Sequence, residues 1–399
     1  MRRTPIKARH VTLFAAACMV LGLGVSGVRA EATLSPIGTP GATNFTPTAI
    51  NNLGQVVGYV RGGTQGAYTY TSALYSGGSI SLLPNMAGFT NAQAFDINDS
   101  GQIVGTAFDS TTFRGFLYNT GSYTNLGVLP GGTYSTASGI NNSGQITGNS
   151  AGRGYFYSAG TMTDIGLLFP AAPDSSSSGV AINNAGTIAG SSGSNVGAPG
   201  QIYHAVSWSN GTLTGYTDDP RAVSTAINNN GVLVGWGQFA TNWAILYDNG
   251  QRFDMASALS TAFGVPSDYS KAFGINDLNM VVGQVSVISS TGDTFEGPLA
   301  YLYNYNSISV PGTGYLLRDL VTLSDGTTPG FTSLETALDI NNLGQIIGMG
   351  TYFDGTNSFS APYMLQVEVV PEPSTLALFL AGGAVAALRF RRRAQVATV

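Results

Sequence analysis

From about residue 44 to residue 367 the apolar positions fall in short alternating runs broken by glycine and asparagine, the pattern of half-buried strands. One pattern recurs seven times: AINNLGQVVG from Ala49, DINDSGQIVG from Asp96, GINNSGQITG from Gly139, AINNAGTIAG from Ala181, AINNNGVLVG from Ala226, GINDLNMVVG from Gly274 and DINNLGQIIG from Asp339. Each copy reads as a hairpin: a strand ending at Ile-Asn, a turn closing at glycine, and a second strand such as QVVG. Glycine at that point admits the positive φ that a type I turn with a glycine bulge demands. In the sixth copy Asn279 takes its place, and asparagine tolerates the same conformation better than most residues.

An aromatic alternating segment follows each hairpin, for example RGFLYNTG, RGYFYSAG and NWAILYDNG, and predicts a third strand with one buried face. Weaker fourth strands follow as ISLLP, YTNLGVL, MTDIGLL, LTGYTD, QRFDM and YLLRDLV; the seventh unit has none. The repeat isoleucines Ile50, Ile97, Ile140, Ile182, Ile227, Ile275 and Ile340 stand 47, 43, 42, 45, 48 and 65 residues apart. A period in the forties with four strands per unit predicts an all-β, seven-bladed β-propeller. Thr33 to Gly38 matches the fourth-strand pattern, so the N-terminal strand is expected to complete the last blade and remove an open sheet edge.

The two ends follow different rules. Residues 1–30 carry a basic start, the apolar run 11–28 and small residues at Val28 and Ala30, the layout of a signal peptide cleaved after Ala30. The propeller is expected over 31–368. Residues 369–399 then offer Pro371-Glu372-Pro373, an apolar run at about 375–388 and the cluster Arg389, Arg391, Arg392 and Arg393. Proline keeps the approach extended and open to a protease. The run is expected to form a short hydrophobic helix, a transient membrane anchor shorter than the usual span of about 20 residues, with its arginines on the cytoplasmic side.

This three-part tail resembles the PEP-CTERM sorting signal, a tail sometimes labelled an ice-binding protein C-terminal domain. The resemblance implies processing by an exosortase near Pro371, Glu372 and Pro373, and release or attachment at the surface of a bacterium that makes exopolysaccharide. The seven repeats resemble the HAF family of extracellular repeats, named for a His-Ala-Phe triplet on the third strand. Here His204-Ala205-Val206 approaches that triplet. This second resemblance implies an extracellular setting and no particular activity.

Charge and composition narrow the chemistry. Nine of the 16 Lys and Arg residues sit in the two end segments, leaving seven in the body with every acid except Glu372. Such a surface disfavours nucleic acid and leaves divalent cations or neutral polymers as partners, or serves solubility alone. The one cysteine, Cys18, lies in the export signal, so the mature body has no disulfide and no thiolate metal site.

Four groups of residues remain as candidates. Asp96, Asn98 and Ser100 occupy positions 1, 3 and 5 of a loop with glycine at 6, the spacing of a calcium loop, but position 12 lacks glutamate and a plain hairpin turn explains the string too. The repeated Asn51, Asn98, Asn141, Asn183, Asn228, Asn276 and Asn341 read as turn caps. Arg61, Arg114 and Arg153, just before third strands, form a possible anionic-ligand rim, or merely cover blade edges. His204 is a lone histidine, and Asp218, Asp219 and Asp248 are a possible acid/base set. No cofactor fingerprint is present. The leading expectation is a non-enzymatic propeller that binds glycan or surface protein in the extracellular matrix. The alternatives are a carboxylate-dependent enzyme on extracellular polysaccharide and a passive matrix component.

Overall fold

The computed structural model describes residues 32–367 apart from 42–43, 173, 195–201, 218–220, 239–241, 264–268, 289–294 and 309–311. The export signal, the sorting tail with its expected hydrophobic helix, Asp218 and Asp219 lie outside the described residues. Within them, no helix is long and apolar enough to cross a membrane.

Alternation becomes seven four-stranded antiparallel sheets, the blades of a propeller. Blade 1 spans Phe45–Ile50, Val56–Thr64, Ala67–Ser76 and Ser79–Leu82, and blades 2 to 6 repeat this order. Blade 7 is assembled from Gly330–Ile340, Gln345–Phe353 and Ser358–Val367 with Ala32–Pro36 as its fourth strand. The N-terminal strand pairs from Ala32 opposite Val367 to Pro36 opposite Tyr363, and the Ile37 amide continues the ladder to the Pro362 carbonyl. The expected closure is therefore present.

The core is divided among the contacts between blades. Seven hydrophobic clusters each fill one blade-to-blade interface. The cluster between blades 7 and 1 joins Ile347 to Ile37, Phe45, Ile50, Val56 and Ala73. Among the described residues, the innermost strands of all seven blades line a channel along the axis.

Every innermost strand carries a bulge at the same place, at Thr48, Phe95, Ser138, Val180, Thr225, Phe273 and Leu338. These extra residues face inward and line a channel segment of about 480 Å³. Each bulge also presses the first strand against the second. A methyl group on Gly148 would run into the Thr136 carbonyl oxygen, and the glycines ending the other six repeats are confined by the same carbonyl contact.

A helix absent from the expected pattern, Met255–Phe263, follows the fourth strand of blade 5 and buries Met255 and Leu259 against blade 6. Asp254 starts it by accepting bonds from the Ser257 amide at 3.2 Å and hydroxyl at 2.8 Å, an N-cap. The strand expected as QRFDM accordingly stops at Asp254, one residue before the helix.

Deleting residues 32–38 removes the fourth strand of blade 7 and Ile37, whose exposure is 2%. The expected result is a melting temperature lower by roughly 10 °C or more in a calorimetric scan, and an unchanged transition would show that the junction does not depend on this strand.

Candidate functional site

The asparagines read as turn caps do that and more. Asn51 Oδ1 accepts the Leu53 and Gln55 amides at 3.0 Å, holding the turn that Gly54 closes with φ 73°. Its Nδ2 reaches out of the blade and donates to the Asn98 carbonyl. Asn98 donates to Asn141, Asn141 to Asn183, Asn183 to Asn228, Asn228 to Asn276, Asn276 to Asn341, and Asn341 back to Asn51, all at 2.8–3.1 Å. The seven side chains thus form a closed ring at one mouth of the channel, each at most 6% exposed.

The next residue of each turn builds a second closed ring. Each of Asn52, Asp99, Asn142, Asn184, Asn229, Asp277 and Asn342 receives on its side-chain oxygen the backbone amide of its counterpart in the preceding blade, at 2.8–2.9 Å. Asp99 and Asp277 accept in addition the side-chain amides of both flanking asparagines. Burial alone would raise the Asp99 carboxyl, but bonds from Asn52 and Asn142 outweigh it and hold it below the ordinary range. Asn279, besides taking φ 59° in place of glycine, accepts the Asn228 Nδ2 at 2.8 Å, where blade 5 has Val232 in place of the glutamine of blades 1, 2, 3 and 7.

Above the rings the isoleucine amides point into the channel. Asp96 accepts the Ile97 and Ile140 amides, one on each oxygen, and Asp339 accepts those of Ile340 and Ile50 in the same way, at 2.8–3.0 Å. Asp339 therefore ties the innermost strand of blade 7 to that of blade 1. Desolvation at the channel wall pushes the Asp96 carboxyl up to about 7, the Asp339 charge adding to it, and pushes Asp339 up to about 6.

These bonds occupy the oxygens that a calcium loop would turn to its ion. Asp96 gives its oxygens to two backbone amides, and the Asn98 oxygen is held by the Ser100 and Gln102 amides. No group of three His, Cys, Asp or Glu able to hold a metal occurs among the described residues.

The three arginines do not share one position either. Arg61 is on the second strand of blade 1, opposite Tyr70, with its guanidinium 4.8 Å from the centre of the Tyr68 ring. Arg114 and Arg153 lie on third strands, each four residues before a tyrosine that faces the start of the second strand. Arg114 donates to the Phe113 and Thr133 carbonyls, and Arg153 pairs with Asp164 at 2.7 Å. His204 holds the equivalent place in blade 4, buried beside Phe169, with no hydrogen-bond partner for Nδ1 among the described residues. Asp248 accepts the Tyr305 hydroxyl at 2.9 Å at the edge of blade 5.

At the end of blades 1 and 2 away from the asparagine turns lies a feature the sequence reading missed. Tyr59, Tyr70, Phe108 and Phe113 follow one another with ring centres 5.6–5.9 Å apart, bridging the two blades. Tyr68 and Phe113 are more than 40% exposed, and Arg61 flanks the row. The Asn91 side chain fixes it by accepting the Tyr70 amide at 2.9 Å. The aromatics were visible in the sequence, but their alignment across a blade boundary depends on register.

Comparison with known proteins bears on the tail and the fold. Residues 369–393 match the PEP-CTERM protein-sorting motif, a signal of export and exosortase sorting. No curated protein matches the chain. Among solved structures, the β-propeller domain of the Trilobed protease from Pyrococcus furiosus aligns at 9% identity and TM-score 0.45 over 80% of this chain and 93% of its own. An acylaminoacyl peptidase from Pyrococcus horikoshii aligns at 11% identity and TM-score 0.45 over 80% of this chain and 52% of its own. TolB from Acinetobacter baumannii aligns at 10% identity and TM-score 0.37 over 85% and 98%. The propeller assignment itself rests on the strand pairings described above.

Two outcomes follow from the rings and the channel acids. Asn141→Ala leaves the Ser143 and Gln145 amides and the Asn183 carbonyl without their partner, and is expected to cost about 2–4 kcal/mol in urea unfolding. Asp96 and Asp339 have folded pKa values raised above an unfolded value of about 4. Their contribution is therefore whole below that value and lost as pH climbs through 6 and 7. Melting temperature is expected to drop by roughly 5 °C or more from pH 5 to pH 8. The double variant Asp96→Ala, Asp339→Ala, which installs the residue that blades 1, 4 and 5 already use there, should flatten that slope.

Proposed function

We propose that this is an exported, exosortase-sorted surface or extracellular-matrix protein whose propeller binds polysaccharide without cleaving it, through the aromatic row Tyr59, Tyr70, Phe108 and Phe113. The row itself carries this reading. Sugar rings present C–H faces that stack on aromatic rings, as CH-rich surface does on any π face, while their hydroxyls accept bonds from a guanidinium such as Arg61. A rigid series of rings near 6 Å apart suits an extended neutral or acidic chain better than a compact small molecule. Processing is assigned to the tail at Pro371, Glu372 and Pro373, cleavage of the export signal to Ala30, and the HAF-type repeats to an extracellular setting.

The enzymatic alternative needs two carboxylates flanking a bond. Asp248 is bound by the Tyr305 hydroxyl. The reading of a passive matrix component predicts no saturable ligand.

Affinity electrophoresis in gels cast with neutral and uronic-acid polysaccharides separates the three. The expected result is retardation by at least one polymer, reduced roughly tenfold in affinity by Tyr70→Ala with Phe113→Ala, and no new reducing ends. Retardation untouched by those substitutions would sink the aromatic assignment. Reducing ends lost in Asp248→Asn would favour the enzyme.

A further inference from the structure

The fourth residue of each Ile-Asn turn is the tip of the turn on the asparagine-ring face. In blades 2, 3, 4 and 5 it is Ser100, Ser143, Ala185 and Asn230, small or polar as a solvated turn should be. In blades 6, 7 and 1 it is Leu278, Leu343 and Leu53, exposed to 48%, 56% and 68%. These blades are consecutive around the ring: the Asp277 amide meets the Asn342 side chain, and the Asn342 amide meets that of Asn52. The three leucines therefore make one apolar arc on an otherwise polar rim, and their backbone amides are held by Asn276, Asn341 and Asn51, so the arc is rigid.

The described chain ends beside the middle of that arc. The Val367 amide donates to the Gly344 carbonyl at 3.0 Å and the Gln366 side chain to the Leu343 carbonyl at 2.8 Å, so the polypeptide leaves the propeller next to Leu343. The apolar run at 375–388 begins eight residues further on, a tether of at most about 29 Å. Whatever holds that run must lie close to the leucine arc.

We infer that the arc of Leu53, Leu278 and Leu343 is a membrane-docking surface, seated on the bilayer that holds the C-terminal segment. This rests on the sorting-tail reading and adds the orientation it implies: the asparagine-ring face turned to the lipid, the aromatic row turned outward. Exposed leucines on a fixed loop enter the interfacial zone of a bilayer at little entropic cost, and a short tether makes the contact effectively intramolecular. Loss of the tail removes the tether, and three leucines alone then release the propeller.

The test uses the chain from residue 31 to residue 399, which has no cysteine, reconstituted in vesicles of phosphatidylethanolamine and phosphatidylglycerol. Nitroxide labels are placed singly at Leu53→Cys, Leu278→Cys, Leu343→Cys, at Ser143→Cys on the opposite part of the ring, and at Thr111→Cys in the loop at the far end of blade 2. The expected result is a ratio of oxygen to nickel-chelate collision rates at the three leucine sites at least threefold above that at Thr111, with Ser143 in between or water-like. Flotation with equal, water-like ratios at all sites overturns the docking face while leaving the anchor intact. Failure to float overturns the anchor and the docking face together. Leucine sites already shielded without vesicles mean that protein covers the arc, and overturn the proposal as well.

Discussion

The propeller depends on one buried side-chain amide used seven times. Asparagine at the second position of the Ile-Asn turn must accept two amides of its own turn and donate one bond to the next blade. Aspartate would keep the two acceptors and lose the donor, and glutamine would carry the amide one carbon too far to close its own turn. In the interior each of these groups needs a partner, so the local turn and the blade-to-blade contact succeed or fail together. That coupling is what converts seven similar hairpins into a ring of a definite number of blades.

Packing follows the same division. Because each apolar cluster belongs to an interface and not to a blade, no blade has a core of its own. Blade 7 is the exceptional one, since its fourth strand comes from the other end of the described chain. It is closed by the N-terminal strand, and tied to blade 1 by Asn341 and Asn342 and by the Asp339 carboxylate on the Ile50 amide. An aspartate in this desolvated place works against stability at neutral pH, yet its two oxygens satisfy two inward-pointing amides at once. Asp96 repeats the device between blades 2 and 3.

Much of this was legible. The seven turns, the third and fourth strands, the missing fourth strand of blade 7 and its N-terminal replacement all follow from period, alternation and turn chemistry, because these are properties of contiguous residues. The partners of the asparagines were not legible. A residue that bonds its own turn at a separation of two to four and another blade at 42 or more looks in sequence like a cap and nothing more. Asp96 suggested calcium for a similar reason: oxygen spacing is visible along the chain, but the amides that occupy those oxygens come partly from the next blade. Arg61 was grouped with Arg114 and Arg153 because each stands just before an expected third strand, and the longer second strand of blade 1 takes Arg61 into itself. The helix at Met255 did have a signal, an Asp with Ser three residues on before an Ala-Leu run, hidden by the expectation of a strand.

The pairing of Ala32–Pro36 with the strand that ends at Val367 also sets an order of events during export. The first strand of the body to cross the membrane is the one that must wait longest for its neighbour, more than 330 residues later. Until then blade 7 is incomplete and an edge of sheet stands open to other chains. Its partner arrives only as the sorting tail reaches the membrane. Closure of the ring and arrest of the tail thus fall at the same moment of translocation, and a chain cut short anywhere before Ser358 can neither close nor be sorted.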